Sequence, residues 1–141
     1  MHGSKVWGLI FDPGCPDGLC GTNTLVDYYR QVLEPMGLNY ECIGDVQGTY
    51  SGIDGKALAS AKRFSVPFPV GDIDVSFDMD TIGAEGDNCP FLLSNAVCRK
   101  HKAVFFASHF ENGDALWYLP AIPAAFRLLP NHRRHYMLPT G

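Results

Sequence analysis

No apolar run in the 141 residues approaches the roughly 20 residues that a membrane-crossing helix requires. Met1 leads into polar residues and then turn chemistry, so no secretory leader is expected. No Cys-x-x-Cys pair occurs, which leaves a structural zinc site without its usual spacing, and no metal is expected. Neither a GxGxxG nor a GxxxxGK[ST] pattern is present, so a phosphate-cradling loop has no support. Internal repeats and low-complexity tracts are absent as well. Charge is scarce: charged residues make up 18% and the formal net charge is −4, which argues against a dedicated nucleic-acid or membrane-surface binder.

What is present is a globular chain, 46% hydrophobic and of single-domain length, long enough to bury a core without staples. Its five cysteines (Cys15, Cys20, Cys42, Cys89 and Cys98) are odd in number, which favours reduced thiols and an intracellular, cytoplasmic setting. The stretch around which the rest is organised is Trp7 to Cys15. Leu9, Ile10 and Phe11 read as a buried strand that ends abruptly at Asp12, and Pro13-Gly14 then forces a turn. A rigid strand behind a carboxylate aims it, so Asp12 is a candidate catalytic residue. The plainer reading of Asp-Pro-Gly is a structural turn: Asp accepts local hydrogen bonds, Pro presets φ, and Gly takes positive φ.

Beyond this turn, Thr22 or Asn23 is expected to cap a helix over about Thr24–Leu33, stopped by Pro35 and Gly37. The middle is β. Gly52-Ile53-Asp54-Gly55 joins two extended segments as a hairpin. Phe64, Val66, Phe68 and Val70 share one face, while Pro67 and Pro69 on the other parity point to an edge strand. Ile73, Val75, Phe77 and Met79 alternate with polar residues, the cleanest period-2 signal in the chain. Phe91-Leu92-Leu93 reads as a buried strand, with Ser94 or Asn95 capping a short helix that reaches about Lys102. Ala103–Ala107 and Ala115–Leu119 form a hairpin around Asn112-Gly113. Four prolines and a basic cluster after Leu119 give the expectation of a tail or linker over 120–141, with a short helix near Ala121–Leu129.

In this order the motifs resemble a retropepsin-like aspartic protease domain of retroviral and copia-type retrotransposon polyproteins. The resemblance covers roughly residues 6–119 and rests on Leu9-Ile10-Phe11-Asp12-Pro13-Gly14, the hairpin Gly52–Gly55, and Pro90-Phe91-Leu92-Leu93-Ser94 running into a helix. It implies an all-β fold with one or two short helices, specifically a closed barrel with a flap hairpin over residues 1–119. It also implies a homodimer with one catalytic Asp12 per subunit. Pro13, Gly14 and Cys15 would form the active-site turn, Gly52, Ile53, Asp54 and Gly55 the flap over an extended peptide substrate, and Leu92, Leu93 and Ser94 the support of the site. No metal or organic cofactor is implied, and polyprotein processing is the implied role. Two residues depart from the pattern. Pro13 stands where the family has a Ser or Thr whose hydroxyl braces the dimer, and Ser94 stands where many members have Gly.

Three other readings follow from the same residues. Pro13 is compatible with a catalytically inactive module that serves dimerisation or peptide binding. The basic segment Arg127 to Arg134 is compatible with a β-rich domain that contacts RNA or a protein partner. A Cys–His nucleophile pair would join Cys15 or Cys20 to His101 or His109.

Overall fold

A computed structural model describes residues 7–12, 17–51, 57–83, 88–130 and 135–140. The first strand, β1 (Trp7–Phe11), is followed by the short β2 (Leu19–Gly21) and helix α1 (Thr22–Tyr28). α1 runs on through a wider π-helical turn over Tyr29–Leu33 and a tight turn over Glu34–Met36. Gly37 ends this run in the left-handed region, φ 72°, and Leu38 N then donates to Leu33 O at 2.9 Å, closing the helix as expected at a C-terminal glycine. The cap at the other end differs from expectation. Gly21 holds the capping position, and Thr22 Oγ1 donates instead to Ile82 O at 3.0 Å, tying the helix start to a later strand.

Next come the long strands β3 (Glu41–Ser51) and β4 (Ala57–Val70), then β5 (Ile73–Ile82). The two-residue β6 (Leu92–Leu93) leads into helix α2 (Asn95–Lys100). Four strands complete the chain: β7 (Val104–Phe106), β8 (Ala115–Leu119), β9 (Ala124–Pro130) and β10 (Tyr136–Thr140). All ten join one sheet in the order β3-β4-β5-β2-β6-β1-β10-β9-β8-β7. The fold is therefore mainly β with two short helices, and the sheet does not close on itself. Most neighbours are antiparallel, but β1 runs parallel to β6 and β2 parallel to β5.

Alternation places the core. Val75, Phe77 and Met79 of β5 are buried, while Asp74 and Ser76 face solvent. The prolines of β4 sit where β4 has run past β3, whose last paired residue is Glu41 opposite Ser65. Pro67 and Pro69 thus pair only with Ser76 and Asp74 of β5 and forfeit no second ladder. Trp7, Tyr28, Phe68 and Phe91 form one aromatic cluster, with centroid separations of 5.0 Å for Tyr28–Phe91 and Phe68–Phe91 and 5.2 Å for Trp7–Tyr28. The Tyr28 hydroxyl donates to Pro67 O at 3.5 Å, and burial pushes its pKa up to about 12.

The described residues after Leu119 do not form a tail. β9 and β10 lie inside the sheet, and β10 pairs antiparallel with β1, Leu138 opposite Leu9. The expected helix near Ala121–Leu129 is a turn followed by β9. Proline misleads here because three of these prolines cost the sheet little: Pro120 and Pro123 fall in the turn, and Pro130 ends β9. Phe126, Leu128 and Leu138 are buried at alternate positions, so these strands are held by their apolar faces.

Candidate functional site

β1 occupies the interior of the sheet, between parallel β6 and antiparallel β10. Leu9 is fully buried, and Ile10 N donates to Phe91 O at 2.9 Å. At the strand's last rung Asp12 N donates to Leu93 O, also at 2.9 Å, so the backbone of Asp12 is clamped on the carbonyl of the strand beside it. Leu93 and Ser94 are buried behind it. Ser94 Oγ accepts from Val97 N at 3.3 Å and caps α2, so this hydroxyl holds the helix. The sequence thus brings together what it predicts here: Asp12, Leu93 and Ser94 converge, and Leu92 pairs with both Ile10 and Leu19. Pro13, Gly14 and Cys15 lie outside the described residues, as do Gly52, Ile53, Asp54 and Gly55. The strands on either side, β3 and β4, are paired, with Ser51 opposite Ala57.

Asp12 lies on the wall of a cavity of about 390 Å³. Phe11, Leu93, Phe105, Trp117 and Tyr136 give the cavity an apolar, largely aromatic lining, to which His135, Asn95 and Cys98 also contribute. The last five strands curl to make it. β7 is four strands removed from β1 in the sheet, yet the rings of Phe11 and Phe105 lie 6.1 Å apart and Phe11 meets Trp117 edge-on at 4.8 Å. Tyr136 braces the curl. Its hydroxyl donates to Gly113 O and accepts from Ser108 N, both at 3.1 Å, and its ring lies 5.3 Å from Phe105. Phe105, Trp117 and Tyr136 are the site residues that local pattern misses. The alternation Ala115, Trp117, Leu119 marks Trp117 as inward-facing, but only the curl says which cavity it meets.

Cys89 lies near the carboxylate. Burial, and then the negative charge of Asp12, push its thiol up to about 11. Cys20, buried in β2, is pushed higher still, by burial first and then by Cys89 and Asp80. Cys20 is fully buried, out of reach of a substrate, which speaks against it as the nucleophile of the Cys–His reading; Cys15 lies outside the described residues. His101, at the end of α2, packs its ring on Phe77 at 5.2 Å, and burial followed by the charge of Lys100 lowers its pKa.

A second, smaller cleft of about 110 Å³ is charged rather than apolar. Buried Asp80 takes two hydrogen bonds from Arg63, at 2.6 and 3.2 Å, and Lys100 meets Asp78 at 3.2 Å. These pairs lock β4, β5 and α2 together. Arg127, read from sequence as part of a basic tail, donates to buried Asp114 at 2.6 Å and lies over the Phe110 ring at 4.1 Å, which binds it to the fold. No helix among the described residues is long and apolar enough to cross a membrane. The chain matches no protein-family model, no curated protein and no solved structure.

Proposed function

We propose that the chain is an aspartic endopeptidase of the retropepsin-like type, active as a homodimer that contributes one Asp12 from each subunit and cleaves peptide bonds of a polyprotein. The observation that carries this reading is a half-buried carboxylate at the end of an interior strand, its backbone clamped to Leu93 and its position on the wall of an aromatic cavity. Two carboxylates brought within a few ångströms cannot both ionise, so the dyad keeps one proton over a wide pH range, and its pKa values belong to the pair. The ionised member takes a proton from water, whose oxygen attacks the scissile carbonyl carbon. The protonated member donates to the carbonyl oxygen. Proton transfer to the amide nitrogen then lets the C–N bond break. The aromatic cavity suits an apolar side chain next to the cut bond.

Pro13 favours a second reading, a module that binds peptide or dimerises without turnover, because proline carries neither the hydroxyl nor the N–H of the residue it replaces. One experiment separates the two. Purified chain at high concentration and mildly acidic pH is incubated with a library of apolar decapeptides, and Asp12→Asn is run beside it. Cleavage by the parent that falls by about 1000-fold or more in Asp12→Asn is the expected result. Equal cleavage by both removes Asp12 from the chemistry. Tight binding of pepstatin or peptide without turnover selects the second reading.

A further inference from the structure

β7 is a weak wall for the cavity it completes. Val104, Phe105 and Phe106 are 42, 44 and 48% exposed, and among the described residues the strand has one ladder neighbour, β8. So few buried contacts put a segment at the low-stability end of a fold. Yet Phe105 lines the Asp12 cavity and stands 6.1 Å from Phe11, so the shape of the cavity depends on where this strand is held.

The Tyr136 hydroxyl holds it. Its one proton goes to Gly113 O at 3.1 Å, and its oxygen accepts from Ser108 N at 3.1 Å, with Ser108 Oγ at 3.4 Å. The donor and acceptor capacity of the phenol are thus both used within one turn. The two ends of that turn differ in kind. At Gly113 it is rigid: Asp114 Oδ2 accepts from Asn112 Nδ2 at 3.1 Å and from Arg127 Nε at 2.6 Å, and Asp114 N donates to Asn112 Oδ1 at 3.2 Å. At Ser108, two residues past β7, the backbone sits at φ 50°, a left-handed conformation that a side chain disfavours and that the surroundings must impose. The hydroxyl fastens the yielding end to the fixed one, while the Tyr136 ring meets Phe105 edge-on at 5.3 Å.

We propose that Tyr136 is a positioning residue: through this clasp it sets Phe105 across from Phe11, and so governs the grip of the cavity on a large apolar side chain beside Asp12. Leu93 and Trp117 are buried in the core and are fixed without help, so Phe105 is the wall that the clasp can move. The effect on cleavage rests on the endopeptidase reading, whereas the effect on what the cavity binds does not.

The test uses the full chain and two decapeptides that differ only at one residue flanking the cut bond, Phe in one and Ala in the other. Tyr136→Phe keeps the ring and removes the clasp. It should raise KM for the Phe peptide about tenfold or more, while kcat and the KM of the Ala peptide each stay within about twofold. In a Phe105→Ala background the same substitution should move the Phe-peptide KM by less than about twofold, because the side chain it acts through is gone. Equal rises for both peptides make Tyr136 merely structural and overturn the proposal, as does an undiminished effect in Phe105→Ala. If the parent cleaves neither peptide, the endopeptidase reading falls, and the Kd values of the same two peptides replace KM in the same cycle. A parent that binds the two alike, or a Phe-peptide Kd that Tyr136→Phe leaves unmoved, then overturns the proposal as well.

Discussion

Asp12 has a neighbour, Cys89, that its sequence position does not announce. Burial first, and then the charge of Asp12, hold that thiol up at about 11, against an ordinary value of 9.0. At pH 8 this leaves about 100-fold less thiolate than a free cysteine carries, so iodoacetamide should modify Cys89 about 100-fold more slowly. Asp12→Asn removes the repulsion and should raise that rate while Cys20 stays inert. Peptide mapping of the alkylated chain checks both statements, and a Cys89 that reacts like an unstructured thiol would separate it from the carboxylate. At this scale the sequence is informative about Asp12 and Ser94, whose chemistry is local: a turn and a helix cap. It is silent on the Cys89–Asp12 proximity, because the two residues are far apart in the chain and only the packing of β1 beside β6 brings them near.

Among the elements, β2 shows how a short strand is held in place by one residue without a side chain. Gly18 O accepts from Asp80 N at 2.8 Å, and a Cβ on Gly18 would fall 2.3 Å from Asp78 O, a backbone atom that cannot swing aside. Gly18→Ala should therefore push β2 off β5 and cost about 1–3 kcal/mol, read as a lower urea midpoint with an unchanged m-value. A midpoint equal to the parent's would show that the close approach is relieved at no cost. The legible elements were those with a strong local period or cap: β5, the β7–β8 hairpin and α2. The helix start was misread because Thr22 has a distant partner, Ile82 O, that competes for its hydroxyl. β9 and β10 were misread because proline signals a break in the chain without saying whether the flanking residues find partners.

For the molecule as a whole, the consequential strand is the last. β10 covers one edge of β1, the strand that delivers Asp12, and carries buried Leu138 and the bracing Tyr136. Ending the chain at Pro130 should expose that edge and abolish cooperative unfolding, with dye binding to uncovered apolar surface as the second readout. A truncated chain that unfolds with the parent's midpoint would return 131–141 to the status of a tail. The amino-acid sequence by itself determined the mainly β character, the strand that ends at Asp12, and the Ser94 cap of the second short helix. These depend on side-chain alternation and on hydrogen bonds within a few residues. Tertiary structure alone decided that the sheet stays open, that its final strands curl until Phe105 meets Phe11, and that an aromatic cavity forms beside the carboxylate. Those features depend on the summed twist of ten strands and on contacts about a hundred residues apart, which no local pattern encodes.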